Sequence, residues 1–244
     1  LRTGEEIERR VKLLGAKSDF IRLESGMSRI NVKLRAGDED SSDTEINCAG
    51  PDISGADMDA LMTKLRTLCE GDTLIMSGSI PASVEQTVYG QIAHDVSANG
   101  VRTVVDASGR ALMEALSGKP YLIKPNVHEL GEIFGERADS YEDVCRLARR
   151  AQTLGAGNVL VSMGADGSVL VDTAGDVYRM GVCKGEVKST VGAGDSMLAG
   201  FIAGIEMYGD PAAALRLATA CGGAAAFSEG HAERDMIYSL LEQL

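Results

Sequence analysis

The sequence predicts an α/β fold in which helices cover a mostly parallel central sheet and a small β flap projects from the body. Three observations carry that expectation. Beyond Pro51, strand-like and helical periodicities alternate repeatedly, as the strand–helix–strand units of a parallel sheet require. Between residues 19 and 47 the period is two instead, the mark of a sheet with one apolar and one polar face. Of the 244 residues, 44% are apolar and 25% charged, enough for the core of one large α/β domain or two small ones.

In chain order, Ile7, Val11 and Leu14 set a helix over 3–14 that Gly15 stops. No strand precedes it, so part of the fold is expected to lie N-terminal to this chain. Phe20-Ile-Arg-Leu23, Arg29-Ile-Asn-Val-Lys-Leu34 and Thr44-Glu-Ile-Asn47 read as short strands, separated by Gly26 and an acidic turn over 37–43. Met58, Leu61, Met62, Leu65 and Leu68 form a helical stripe with Ser54 as its N-cap. A strand over 73–76 follows, then a helix lined by Val84, Val88, Ile92 and Val96, and strands over 101–105 and 121–123. Val144, Leu147, Ala148, Ala151 and Leu154 make a further helix. Strands over 159–162 and 168–171 flank the loop Gly164-Ala-Asp-Gly167, and helices over 193–207 and 211–227 close the core. The expected division is a core of 1–18 with 48–244 and a flap of 19–47, without repeats or low-complexity tracts.

Charge and cysteine usage exclude several functions. With 24 Lys and Arg against 36 Asp and Glu, the net charge of −12 offers no general attraction to nucleic acid or anionic lipid. Any phosphate must be held by local geometry. Cys48, Cys69, Cys145, Cys183 and Cys221 include no C-x-x-C pair and no His at zinc-finger spacing, which points to reduced thiols in a cytoplasmic protein. No apolar run approaches the roughly 20 residues of a membrane helix, and the opening residues have no signal-peptide core.

The strongest chemical signal is Ser189-Thr-Val-Gly-Ala-Gly-Asp195-Ser-Met-Leu-Ala-Gly-Phe201. Gly192 and Gly194 stand where a loop enters an apolar helix, so free N–H groups and the helix dipole converge on an anion. Asp195 in the first turn would repel that anion, unless its task is to take a proton from an attacking hydroxyl while the amides stabilise a transferring phosphoryl group. The alternative is a glycine-rich helix start in which Asp195 only complements the dipole. No Lys-Ser/Thr follows, so this is not a Walker loop, and the spacing fails the dinucleotide fingerprint.

This segment resembles the signature of the ribokinase-like sugar kinases, the phosphofructokinase B family. Gly26-Met-Ser-Arg-Ile-Asn-Val-Lys33, Thr44-Glu-Ile-Asn47, Ser77-Gly-Ser-Ile-Pro81, Val105-Asp-Ala-Ser-Gly109, Leu122-Ile-Lys-Pro-Asn126 and Val161-Ser-Met-Gly-Ala-Asp-Gly167 are similar to its branch of ketohexose-phosphate kinases. The resemblance spans nearly the whole chain and implies a ribokinase-like three-layer sandwich with a β-sheet lid. It implies Asp195 as catalytic base and Gly192, Ala193 and Gly194 as the anion hole. ATP would be held by Ser162, Met163, Gly164, Ala165, Asp166 and Gly167 with Lys124 and Gly194. Asn126 and Glu129 match an N-x-x-E motif whose side chains hold the hydration shell of Mg²⁺, a cation that dehydrates reluctantly; read alone, the pair is better taken as a helix capping box, a preference the surrounding Lys-Pro-Asn context reverses. Arg29, with Lys33, would grip the phosphate of the sugar, although Lys33 also reads as a solvated strand charge. Ser77 and Ser79 match a substrate loop, and Asp195 would meet the acceptor hydroxyl. His94, His128 and His231 lie outside the matched positions.

The implied reaction is ATP-dependent phosphorylation of a ketohexose monophosphate, fructose 1-phosphate to fructose 1,6-bisphosphate first and tagatose 6-phosphate second. A non-catalytic nucleotide-binding regulator of the same fold is the reading from another class, and a base beside the anion site argues against it. The family's opening strand ending in Asp, its Gly-Gly-Lys-Gly segment and the following sugar-binding Asn have no counterpart here. In relatives the lid often packs against its copy in a second subunit, so the resemblance also implies a homodimer.

Overall fold

The computed structural model describes residues 2–34 and 44–244. They form two compact units, Leu1–Leu68 with Ile80–Gln86 and Cys69–Ser79 with Thr87–Leu244. The first unit therefore holds more than the 19–47 flap.

Its first helix, α1 (Arg2–Leu13), is laced by charge: Glu6 accepts from Arg9 and Arg10, and Glu8 from Lys12. Gly15 follows with φ 82°, the left-handed stop the sequence suggested. The expected strand over 20–23 is absent. In its place Ser18 and Arg22 donate to Glu8, and Lys64 donates to Asp19, so side-chain ties rather than a backbone ladder hold this stretch. β1 (Asn31–Leu34) and β2 (Thr44–Asn47) pair antiparallel with Val32 opposite Ile46; β1 begins two residues later than the alternation suggested. The acidic turn between them lies outside the described residues. α2 (Gly55–Leu65) starts at Ser54 as expected and adds a capping box, with Ser54 and Asp57 exchanging bonds. It stops before Leu68, and none of its residues is buried.

The second unit carries the sheet, in the order β3 (Thr73–Ser77), β4 (Arg102–Asp106), β5 (Leu122–Ile123), β6 (Asn158–Ser162), β7 (Ser168–Val171), β8 (Val177–Met180). β3 to β6 run parallel and the last two pairings are antiparallel. On one face Val104, Leu122, Leu160 and Leu170 pack with Leu198, Phe201, Leu215 and Ala218 of α7 (Ala193–Tyr208) and α8 (Pro211–Ala226). The alternate residues Val105, Ile123, Val161 and Val169 are fully buried on the other face. That face is covered by α3 (Val88–Ser97), α4 (Gly109–Ala115), α5 (Val127–Phe134) and α6 (Tyr141–Thr153). α9 (Arg234–Leu241) packs on α8. Val84 falls in a turn before α3, where its N–H bonds the Pro81 carbonyl at 3.0 Å.

α4, α5, β8 and α9 are additional to the elements expected. The loop between β6 and β7 contains a short 3₁₀ turn, Gly164–Asp166. Gly167, at φ 91°, has no room for a side chain, since a Cβ would lie 2.1 Å from the Met180 carbonyl oxygen.

Candidate active site

Because β3 to β6 are parallel, their carboxyl ends share one edge of the sheet, the place where α/β folds bind ligands. In sheet order that edge presents Ser77 ending β3 with Ser79 after it, Asp106 ending β4, Lys124 after β5, and Ser162 ending β6. Asn126 bridges to Ser162 in parallel fashion, which extends the edge beyond β5. The Lys124 ammonium lies 3.2 Å from Asp106 Oδ1, with the two side chains 7% and 14% exposed.

Helix α7 points its N-terminus at this pair. Gly192 takes φ 79° at the N-cap with no side-chain bond to the first turn; the Ala193 N–H turns back to the Thr190 carbonyl at 3.3 Å, and the first-turn N–H groups after it are those a helix start leaves for a ligand. A Cβ on Gly194 would lie 3.0 Å from Lys124 Nζ; glycine lets the ammonium rest against the helix. Two positive poles thus face one place, a juxtaposition unfavourable by itself and favourable around an anion. Asp195 stands exposed in the same turn. Burial pushes the Asp106 carboxyl up, Lys124 pulls it down, and Asp195 and Glu129 push it up again. Asp106 is thus paired with one ammonium and within electrostatic reach of two further carboxylates, Asp195 and Glu129.

Asn126 and Glu129 form the capping box of α5: Asn126 Oδ1 accepts from the Glu129 N–H at 2.9 Å, and Glu129 Oε2 accepts from the Asn126 N–H at 2.8 Å. The local cap is thus realised. It leaves Glu129 Oε1 outside the box. Among the described residues no cluster of His, Cys, Asp or Glu could ligate a metal directly. A cation fits here through its own waters, drawn by the excess of carboxylates.

From this edge opens a cleft of about 1060 Å³, large enough for a nucleotide. The expected nucleotide residues Ser162, Met163, Gly164, Ala165, Asp166, Gly167 and Gly194 line it, together with Asn126 and Ala193. Phe227, Val182 and Val187 give it apolar surface, and Arg179, whose guanidinium lies 4.8 Å from the Tyr141 ring, gives it a cation. Arg29 and Lys33 belong to the other compact unit, where Arg29 Nε donates to Asn31 Oδ1 at 2.8 Å.

Two residues escaped the sequence reading. Asp106 carries the lysine pairing, and its signal was its position, an acidic residue ending a parallel strand inside Val105-Asp-Ala-Ser-Gly109. Tyr89, whose hydroxyl donates to the Ser77 and Gly78 carbonyls at 3.2 Å, fixes the loop carrying Ser77 and Ser79. Nothing in its spacing marked it.

The sheet edge, the paired lysine and the amide-rich helix start define an α/β protein built to hold phosphate. The chain belongs to the pfkB family carbohydrate kinases, whose family model matches residues 2–236. It is 40% identical over 242 residues to a 1-phosphofructokinase of Bacillus subtilis, covering 99% of this chain and 78% of that protein. A D-tagatose-1-phosphate kinase of Bacillus licheniformis is 36% identical, with 93% of this chain and 73% of the relative covered. Among solved structures, a putative phosphofructokinase from Staphylococcus aureus superposes with a TM-score of 0.84 at 35% identity, covering 98% of this chain and 76% of that one. The ribokinase-like fold expected from the sequence is the fold observed.

Proposed function

We propose that the protein transfers the γ-phosphoryl group of ATP to the free primary hydroxyl of a ketohexose monophosphate, fructose 1-phosphate giving fructose 1,6-bisphosphate. One observation carries the reading: Lys124 held between Asp106 and the N-terminus of α7, with Asp195 one residue beyond Gly194. Asp195 accepts the proton of the acceptor hydroxyl. The Lys124 ammonium and the amides of Gly192 and Gly194 take up charge on the phosphoryl oxygens, joined by the Ala193 amide when it exchanges its 3.3 Å bond to the Thr190 carbonyl for the ligand. The glycine-rich β6–β7 loop and the apolar wall at Phe227 hold the nucleotide. Asn126 and Glu129 would hold Mg²⁺ through its waters; the ion, when bound, neutralises charge on the nucleotide phosphates.

In this reading Ser77 and Ser79 serve the sugar, Arg29 and Lys33 its existing phosphate, and residues 19–47 form a lid on a core of 1–18 and 48–244. A homodimer formed through that lid completes the assignment. A cytoplasmic setting is supported by the free thiols of all five cysteines, and among the described residues no helix is long and apolar enough to cross a membrane. A tagatose phosphate is the second substrate reading, favoured by the similarity to the D-tagatose-1-phosphate kinase. Coupled ADP release with fructose 1-phosphate, fructose 6-phosphate, tagatose 1-phosphate and tagatose 6-phosphate tests both. The highest kcat/KM should fall to fructose 1-phosphate, and ADP release from none of the four would overturn the proposal.

A further inference from the structure

One wall of the cleft is the segment 181–187, which is neither helix nor strand. No sheet ladder fixes it. Only Cys183 in it is buried, at 6% exposure, and its Sγ lies 3.9 Å from the carbonyl oxygens of Thr219 in α8 and Leu240 in α9. One residue on, the Lys184 N–H donates to Gln243 Oε1 at 3.0 Å, just past the end of α9. A Cβ on Gly223 would lie 3.2 Å from Cys183 Cβ and 3.5 Å from Leu240 Cδ1, and one on Gly185 would lie 2.4 Å from the Phe227 ring. Cys183, Gly185, Gly223 and Phe227 line the cleft. Leu240, which packs with Cys183, Ala220 and Ala224 in one apolar cluster, stands behind them.

We propose that α9 and the residues just after it set the shape of the nucleotide wall, with Gln243 as a positioning residue that touches no ligand. The inference rests on reading the cleft as the ATP site. Its physical basis is the economy of anchors. The segment 181–187 is tied down by the Cys183 side chain, by the Lys184–Gln243 bond, and farther along by Lys188 and Ser189 N–H groups on the Ala226 carbonyl at 2.8 and 3.1 Å. Removing the Gln243 acceptor frees the middle of the wall while leaving both ends attached. The bound nucleotide then has to order that backbone itself, so affinity falls while the chemistry at Asp195 is untouched.

Gln243 is exposed, so replacing it leaves the core intact. Titration calorimetry with ATP and Mg²⁺ should show Gln243→Ala weakening Kd by about 3- to 10-fold, the worth of one net hydrogen bond. Gln243→Glu retains an acceptor and should bind within about twofold of the wild type. Maleimide labelling of Cys183, read on its own peptide by mass spectrometry, should be slowed by ATP in the wild type and should run faster in Gln243→Ala. ATP binding and Cys183 labelling both unchanged in Gln243→Ala would overturn the positioning role and leave the nucleotide reading standing. Failure of Gln243→Glu to restore affinity would overturn the hydrogen-bond basis. A wild type that binds no ATP would overturn the reading on which the inference rests.

Discussion

At the scale of single residues, the informative oddity is a lysine ammonium resting on a helix N-terminus, where the dipole opposes it. Lys124 is held there by Asp106 at 3.2 Å, and Gly194 supplies the room. Gly194→Ala separates packing from chemistry. Alanine favours the helix by up to about 1 kcal/mol, and the atom it meets is the movable end of a side chain, so the melting temperature should hold. The displaced ammonium should lower kcat by about tenfold or more. Unaltered kcat alongside a normal melting curve would remove Lys124 from the phosphoryl site. Asp195→Asn makes the complementary case, lowering kcat by about 10²- to 10⁴-fold with ATP affinity nearly intact; steady-state kinetics paired with direct ATP titration separates the two quantities. For the sugar side, Arg29→Ala should raise KM for the sugar phosphate far more than KM for ATP, because the partner proposed for its guanidinium is the substrate's phosphate. Equal changes in both constants would assign Arg29 a structural role.

At the scale of elements, α5 shows how one pair of residues serves two readings. Glu129→Gln keeps a side chain that satisfies the capping box, so unfolding should be unaffected while the Mg²⁺ dependence of the rate shifts toward higher concentration. Asn126→Ala should instead cost about 1 kcal/mol of stability through the lost cap, measured by denaturant titration. If Glu129→Gln turned over normally at every Mg²⁺ concentration, only the cap would remain. In α1, Arg9 and Arg10 hold the Glu6 carboxyl at about 2, against an ordinary 4.5. A depressed folded value means that its contribution is present above 4.5 and is lost as the pH falls toward 2, so NMR titration of Glu6 should show the low midpoint. Much of this layout was legible in the chain: the Ser54 cap, the glycine entry to α7 and the strands from β3 to β7 all follow from local pattern. What escaped is what tertiary contact decides. α4 spans only seven residues, with a Ser108 N-cap that makes no side-chain bond, and α9 is fixed by its cluster with Cys183 and Ala224. Phe20 to Leu23 looks like a strand by composition, yet among the described residues no strand pairs with it. The Asp106–Lys124 pair was hidden for a different reason: it forms only when the parallel pairing of β4 with β5, across the intervening α4, sets their carboxyl ends side by side.

At the scale of the whole molecule, burial is unevenly shared. Among the described residues of Leu1–Leu68 and Ile80–Gln86 none is buried, whereas the second unit holds the entire core. The β1–β2 ribbon shows the consequence. Val32 and Leu34 alternate onto one face with Ile46 opposite Val32, and these three are 41%, 51% and 50% exposed, with Ile30 at 49%. A two-stranded ribbon is marginal in water by itself, and a contiguous apolar face on a soluble protein marks a surface that something covers. A second copy is the proposed occupant, since a two-fold axis lets the same face cover itself. A stable interface covers roughly 800 Å² on each partner, so these four side chains would form its apolar centre with polar residues around them. Light scattering should therefore give a homodimer at micromolar concentration, and Ile30→Asp, which places a carboxylate in that centre, should shift it to monomer while leaving the ATP affinity of the second unit unchanged. A monomeric wild type whose Ile30→Asp variant behaves identically would refute the self-pairing of this face.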